Sequence, residues 1–472
     1  MSEVESVSTQ AGAGGEAAAG GSQPVVPRPE VTPPGEWAFP EPREVELPNG
    51  IRALVHHVPG QYVVSVRVTV PVALRHEPRE VEGVAWIMAR LLDEGTSTHG
   101  QRELAELLER RGIALGAGMS EAALGVDVDV PQRHLGEALD LLTECLSEPV
   151  FEEAEVARVT RTRLAEIEQE RASAGRRAFK EWAATYYDVD TRASRPASGS
   201  AETVAAIRRE HVVDFHATHV HPEGATVVVA GDLTGVDVDQ LLAGTVGAWE
   251  TSGRAVSVER TPAPRADDAA RVVLVDRPGS VQSEILIGGP GPDRRVESGW
   301  APFPVLAWVI GGAPNARIDQ VLREDKGYTY GIRAGFRPRQ VGSAFTVSGS
   351  VRADSTVDSL RLLAEILGGV GEGFTDAETR AGVDFMSLTA PGRYDTADAI
   401  ADETSGLAGD NLPLNFTSDM IAAMRELTAA DLDAAWREHV RPEWTIVVVG
   451  DASLYRDEVE ELGLGPVTVV PN

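Results

Sequence analysis

The sequence predicts an α+β fold built from two tandem homologous domains, each a mostly antiparallel sheet with helices packed on one face. Three observations carry this. Short runs of period-two alternation end in Pro-Asn-Gly or Gly-Asp turns and read as strands, whereas longer runs with helical periodicity follow them. Strands come in hairpin-like groups and helices in runs, which is the α+β ordering. The whole succession then occurs twice. His219-Val220-His221-Pro222 falls opposite His439-Val440-Arg441-Pro442, Gly231-Asp232 opposite Gly450-Asp451, and Pro59-Gly60 opposite Pro278-Gly279. Val84-Ala85-Trp86 falls opposite Leu306-Ala307-Trp308, and every pair lies about 220 residues apart.

Residues 1–36 are rich in Ala, Gly, Ser, Glu and Pro without an apolar core segment, so a disordered leader with no signal peptide is expected there. The first domain is expected over 37–250. Val45 and Leu47 alternate with acids, Pro48-Asn49-Gly50 turns the chain, and Ile51 to His57 and Tyr62 to Val70 continue as strands. Helices are predicted at Glu82 to Leu92 and Gln101 to Arg111, and two strands within Ile113 to Val130. Helices follow at roughly 132–147, 151–173, 176–188, 202–218 and 236–247, with the buried strand Ala225 to Ala230 before the last. A polar, proline-containing stretch over 251–268 reads as a linker. The second domain, 269–472, repeats the pattern: strands Arg271 to Asp276, Gln282 to Gly288, Ala344 to Val351 and Thr445 to Val449, with helices at about 355–369, 376–390, 394–408 and 427–439.

With 73 acidic against 43 basic residues, the formal charge is −30, a field that repels nucleic acid and anionic membranes and leaves basic peptides as conceivable substrates. No apolar run is long enough to span a bilayer, so a cytoplasmic protein is expected. Cys145 stands alone in an apolar helical stretch and is expected in a core. His216, His219 and His221 form the one tight histidine cluster; their counterparts Trp436, His439 and Arg441 make that position structural in the repeat.

The densest chemistry is Leu322 to Gly331, LREDKGYTYG. A helical pattern enters it and an alternating pattern leaves it, with Gly327 at the junction. Arg323 is expected on the last helical turns and Tyr330 on the outgoing strand. A guanidinium and a phenol so placed can grip a polarised carbonyl. A helix end with a salt-bridged arginine and a packed tyrosine is the structural alternative.

Leu47-Pro48-Asn49-Gly50, Gly83-Val84-Ala85, Glu94-Gly95-Thr96, Arg277-Pro278-Gly279-Ser280-Val281-Gln282 and the run from Gly311-Gly312 to Gly331 together resemble the M16 (pitrilysin and mitochondrial processing peptidase-like) metallopeptidases. The resemblance spans nearly everything from Pro42 onward and implies two M16-type domains. In active members the helix after Gly-Val-Ala carries His-x-x-Glu-His, which binds zinc and activates water. Here those positions are Trp86, Ala89 and Arg90, so no metal ligand is expected there. Glu166 and Glu168 lie near the family's third ligand. Arg323 and Tyr330 match the spacing of an arginine and tyrosine that the family uses to hold the substrate carbonyl, with Gly311, Gly312 and Tyr328 near the substrate path; a helix break ahead of Asn315 is the structural alternative for the two glycines. The resemblance therefore implies a non-zinc subunit of a heterodimeric metalloendopeptidase, with no cofactor of its own. A partner M16 subunit bearing His-x-x-Glu-His would supply zinc, and the substrate would be a peptide or unfolded segment. A pseudoenzyme serving as scaffold or peptide-binding subunit is the alternative.

Overall fold

Valine-rich strands buried on both faces are the source of the architecture. The computed structural model describes residues 35, 37–253, 263–340 and 342–472; the expected leader, Gly35 apart, lies outside the described residues, as does 254–262 of the expected linker. Residues 37–472 form one compact unit. Its first half holds strands β1 (Arg43–Glu46), β2 (Arg52–His57), β3 (Val63–Pro71), β4 (Ala114–Met119), β5 (Ala123–Pro131) and β6 (Thr226–Gly231). Helices α1 (Val84–Ala89), α2 (Gln101–Arg111), α3 (Leu135–Ser147), α4 (Glu153–Ala172), α5 (Ala174–Tyr186), α6 (Ala201–Ala206), α7 (Arg209–His219) and α8 (Val238–Gly244) accompany them. The second half holds β7 (Val272–Asp276), β8 (Gln282–Pro290), β9 (Arg333–Arg337), β10 (Ala344–Arg352), β11 (Thr445–Gly450) and β12 (Val467–Pro471). Its helices are α9 (Pro302–Ala307), α10 (Arg317–Asp319), α11 (Thr356–Gly369), α12 (Asp376–Arg393), α13 (Ala397–Gly409), α14 (Phe416–Arg425), α15 (Ala429–His439) and α16 (Arg456–Glu461).

The two sheets confirm the duplication. Their strand orders are β1-β2-β6-β3-β5-β4 and β12-β7-β11-β8-β10-β9. β2 pairs β6 in parallel, as β7 pairs β11, and the next three pairings are antiparallel in both sheets. The copies differ at one edge. The first sheet fills it with β1, antiparallel and early in its half; the second fills it with β12, parallel and last in its half.

Side-chain alternation splits each central strand between two cores. On β6, Val227 and Val229 face the helices of their own half, whereas Val228 and Ala230 pack against Ala397, Ile400 and Ala401 of α13, from the other half. The exchange is reciprocal: Val447 and Val449 of β11 and Leu286 of β8 take Ala178, Trp182 and Tyr186 of α5. Gly288 admits this helix, since a Cβ there would stand 2.4 Å from the Trp182 indole nitrogen. Each sheet thus has its own helices on one face, as predicted, and one borrowed helix on the other.

Three expectations need correction. The helix predicted over 202–218 is broken, because Ile207 takes an extended backbone (ψ 133°) and buries its side chain in the first core. The first predicted helix, Glu82 to Leu92, is regular only over Val84–Ala89. The strand expected to carry Tyr330 begins later, at Arg333, so Tyr330 lies in a loop.

Candidate functional site

Helix α1 is positioned by buried acids. Glu77 Oε1 accepts from the backbone N–H of Gly83 (2.9 Å) and Ala85 (3.1 Å), and its Oε2 pairs with Arg192 at 2.8 Å. Burial raises the Glu77 pKa against the opposing pull of Arg192. Glu82 is gripped by Arg195 at 2.8 Å. The 190–200 segment thereby fixes the start of α1 and turns Trp86 toward α4.

Where the resemblance places a zinc motif, the structure has a cluster of cations on an indole. The guanidinium carbons of Arg90 and Arg163 lie 4.6 and 5.1 Å from the Trp86 ring centroid. Glu166 bridges the two, accepting from Arg90 Nη1 at 3.0 Å and Arg163 Nη1 at 3.3 Å. Arg163, only 3% exposed, also donates to both carboxylate oxygens of Glu170 (2.7 and 3.1 Å) and to Ser198 Oγ (2.8 Å). Cation–π contacts of this kind contribute about 0.5–2 kcal/mol each. Glu166, not Glu168, is therefore the carboxylate that faces position 90; Glu168 pairs outward with Arg171 at 3.4 Å. Zinc requires deprotonated thiolate, carboxylate or neutral imidazole donors. Two guanidiniums, an indole, the methyl of Ala89 and one already paired carboxylate do not fit it. Arg163 was missed in the sequence, although Glu166 and Glu170 at helical spacing from it were a readable signal.

The histidines are engaged separately. His216 Nε2 sits 2.9 Å from the Leu146 carbonyl, and burial lowers the His216 pKa. His219 stacks on His76 at 5.2 Å, and His221 Nε2 is 3.1 Å from the Thr218 carbonyl. Among the described residues, no group of three or more His, Cys, Asp and Glu is arranged to hold a metal ion. Cys145 is buried, which pushes its thiol up to about 12.

In the second half, α10 continues into a wide helical turn over Gln320–Asp325 that carries Arg323. Gly327 ends it with φ 65°, the left-handed conformation that a side chain resists. Its N–H donates to the Arg323 carbonyl (3.1 Å) and that of Tyr328 to the Leu322 carbonyl (2.9 Å), a nested pair of bonds in which each spans one residue more than in a Schellman cap, in keeping with the wide turn it closes. The loop that follows is pinned on both sides of Tyr330. The Tyr328 hydroxyl donates to Asp358 Oδ2 at 2.7 Å, Thr329 Oγ1 to the Ser350 carbonyl at 2.7 Å, and the Ile332 N–H to Asp319 Oδ1 at 3.0 Å. Asp319 is fully buried and also pairs with Arg333 at 2.8 Å. Tyr330 itself is 95% exposed. Arg323 is half exposed and meets its neighbour Glu324 at 3.5 Å. The backbone is held while the two side chains project outward.

Tyr328, Gly311 and Gly312 are held by close contacts within the second half. The bond to Asp358 raises the Tyr328 pKa and fastens its phenol to α11. Gly311 is buried where α9 breaks, and a Cβ there would lie 2.8 Å from the Ala334 backbone nitrogen on β9. A Cβ on Gly312 would lie 3.1 Å from the Ala307 carbonyl oxygen.

Comparison with known proteins agrees with this picture. A family profile described as insulinase (peptidase family M16) matches residues 52–194, and one described as the peptidase M16 inactive domain matches 206–384. An uncharacterized zinc protease of Streptomyces coelicolor is 25% identical over 426 residues, 88% of this chain and 91% of that protein. A non-peptidase homolog of Helicobacter pylori is 22% identical over 362 residues, 76% of this chain and 82% of that protein. The crystal structure of a peptidase M16 inactive domain from Pseudomonas fluorescens superposes with a TM-score of 0.80 at 22% identity, covering 87% of this chain and 97% of that one. A protease from Helicobacter pylori superposes with a TM-score of 0.79 at 17% identity, covering 87% and 100%. With two sheets of one strand order in tandem, and M16 profiles matching 52–194 and 206–384, this chain belongs to peptidase family M16.

Proposed function

We propose that this chain is the non-zinc subunit of a heterodimeric M16 metalloendopeptidase, with a first domain over 37–250 and a second over 269–472. A partner subunit bearing His-x-x-Glu-His supplies the zinc site for peptide-bond hydrolysis. Arg323 and Tyr330 reach across to it, hold the scissile carbonyl and stabilise the oxyanion that forms. One observation supports this reading above others: a rigidly pinned loop presents a tyrosine that is 95% exposed. Leaving that much aromatic surface uncovered by its own chain makes sense when the surface is completed from outside.

The test mixes the purified chain with a zinc-bearing M16 partner. Removing one oxyanion donor typically costs about 100- to 1,000-fold in turnover. Tyr330→Phe and Arg323→Ala are expected to lower kcat with the assembled complex still formed by size-exclusion chromatography. Wild-type cleavage by both mixtures refutes the role of the pair.

A second reading is a catalytically inactive scaffold or peptide-binding subunit. The ion-paired cluster on Trp86 favours it, as does the name of the Helicobacter pylori homolog. Under that reading the two variants change nothing in any mixture, and no partner confers cleavage.

A further inference from the structure

We infer that the crevice between the two halves binds an acidic peptide segment, held by Lys180 and Arg337. The crevice has a volume of about 1040 Å³. Its walls come from α4, α5 and the 190–197 segment of the first half, and its floor from β8 and β10 of the second. Lysine and arginine side chains outnumber carboxylates nine to five along it, in a chain where acids outnumber bases 73 to 43. The charge expected of the protein as a whole is thus inverted along this crevice.

Most of these cations are already matched. Arg192 and Arg195 are held by Glu77 and Glu82, Arg177 by Glu181 and Arg339 by Glu121. Two are not: among the described residues, neither Lys180 nor Arg337 has a carboxylate at ion-pair distance. The Arg337 guanidinium lies 5.0 Å from the Phe179 ring centroid, and its Nε donates to Thr346 Oγ1 at 3.1 Å, so it is oriented from β9 toward α5. Lys180 follows Phe179 on α5. Burial lowers the Lys180 pKa, and the neighbouring Arg177 and Arg171 lower it further, against the opposing pull of Glu170 and Glu181, so a carboxylate arriving here adds to a pull that burial and the two arginines outweigh. Glu284 on the floor offers little competition, because burial raises its pKa and Ser350 occupies its carboxylate. Between the charges the lining is apolar, through Leu286, Ala183 and Pro264.

The occupant that fits carries carboxylates separated by apolar groups. The volume lies at the upper end for small-molecule sites, which run to about 1,000 Å³, and accommodates several residues of extended chain. Arg323 and Tyr330 do not line the crevice. Binding here is a property of this chain alone and stands or falls separately from the catalytic pairing proposed above.

The experiment is fluorescence polarisation on the isolated chain with a short labelled peptide of alternating Glu and Leu, and with versions carrying Gln or Lys in place of Glu. Saturable binding of the Glu peptide is expected, weakening as salt rises. Lys180→Glu and Arg337→Glu are expected to weaken it at least tenfold each, with unchanged thermal melts; Arg380→Glu, remote on α12, leaves it intact. Equal binding of the Gln or Lys peptide, or wild-type affinity in both reversals, overturns the inference. Citrate is the arm for a small polycarboxylate: it is expected to compete no better than sodium chloride of equal ionic strength, and displacement at micromolar citrate overturns the peptide assignment.

Discussion

His56 offers a quantitative test of the seam between the halves. It is the penultimate residue of β2, on the face that α13 covers; it is 3% exposed, with Nε2 2.9 Å from Thr404 Oγ1 of α13 and the Phe39 ring edge-on at 6.1 Å. Its Nδ1 has no hydrogen-bond partner. Burial lowers the imidazole pKa from 6.5 to about 4. The unfolded chain therefore binds this proton more readily than the folded one, and stability rises with pH between the two values. The contribution is fully present above pH 6.5, fades as pH falls, and is gone below about 4. At 1.36 kcal/mol per pH unit, the whole difference is about 3 kcal/mol, of which about 2 kcal/mol is lost between pH 7.5 and 5.0. His56→Gln keeps a polar contact to Thr404 without titrating. Urea unfolding at the two pH values should show a stability loss in the wild-type chain that exceeds that in the variant by about 2 kcal/mol. Equal losses in both proteins would mean that His56 is solvated and that α13 does not seal the first sheet.

Four further outcomes follow from the packing and the side-chain chemistry. Trp182→Ala removes a fully buried indole from the borrowed-helix interface and should destabilise the protein by about 3–5 kcal/mol in chemical denaturation. Arg163→Ala strips the bridging cation from Glu166 and Glu170, and since both carboxylates are partly exposed its cost should be about 2 kcal/mol, below that of a fully buried pair. Arg90→Ala, a half-exposed pair, should cost under about 1 kcal/mol. Zinc at tenfold molar excess should leave the melting temperature of the isolated chain unchanged, because a ligand stabilises only the fold that binds it; a rise of several degrees refutes the reading of Trp86, Ala89 and Arg90.

Much of this architecture was legible because local rules and tertiary packing agree. The Gln101–Arg111 helix, the strands that begin at Gln282 and Ala344, and the cap at Gly327 all follow from periodicity and backbone preference. The repeat was legible for a related reason: the two sheets share one strand order, and each copy must bury the same runs. Local rules failed where side chains answered to distant partners. Tyr328, Tyr330 and Ile332 alternate like a strand, yet the bonds to Asp358, Ser350 and Asp319 hold them as a loop. Ile207 broke a good helical pattern to reach a core residue.

By itself, the sequence determined the family and the duplication, and it excluded zinc donors at positions 86, 89 and 90, since an indole, a methyl and a guanidinium lack the chemistry whatever their surroundings. Only the tertiary structure decided that Arg163 and Glu166 join Arg90 on Trp86, that α5 and α13 are exchanged between sheets, and that an acidic chain lines one crevice with cations. Those depend on residues far apart in the chain meeting in space, and no local pattern records such meetings.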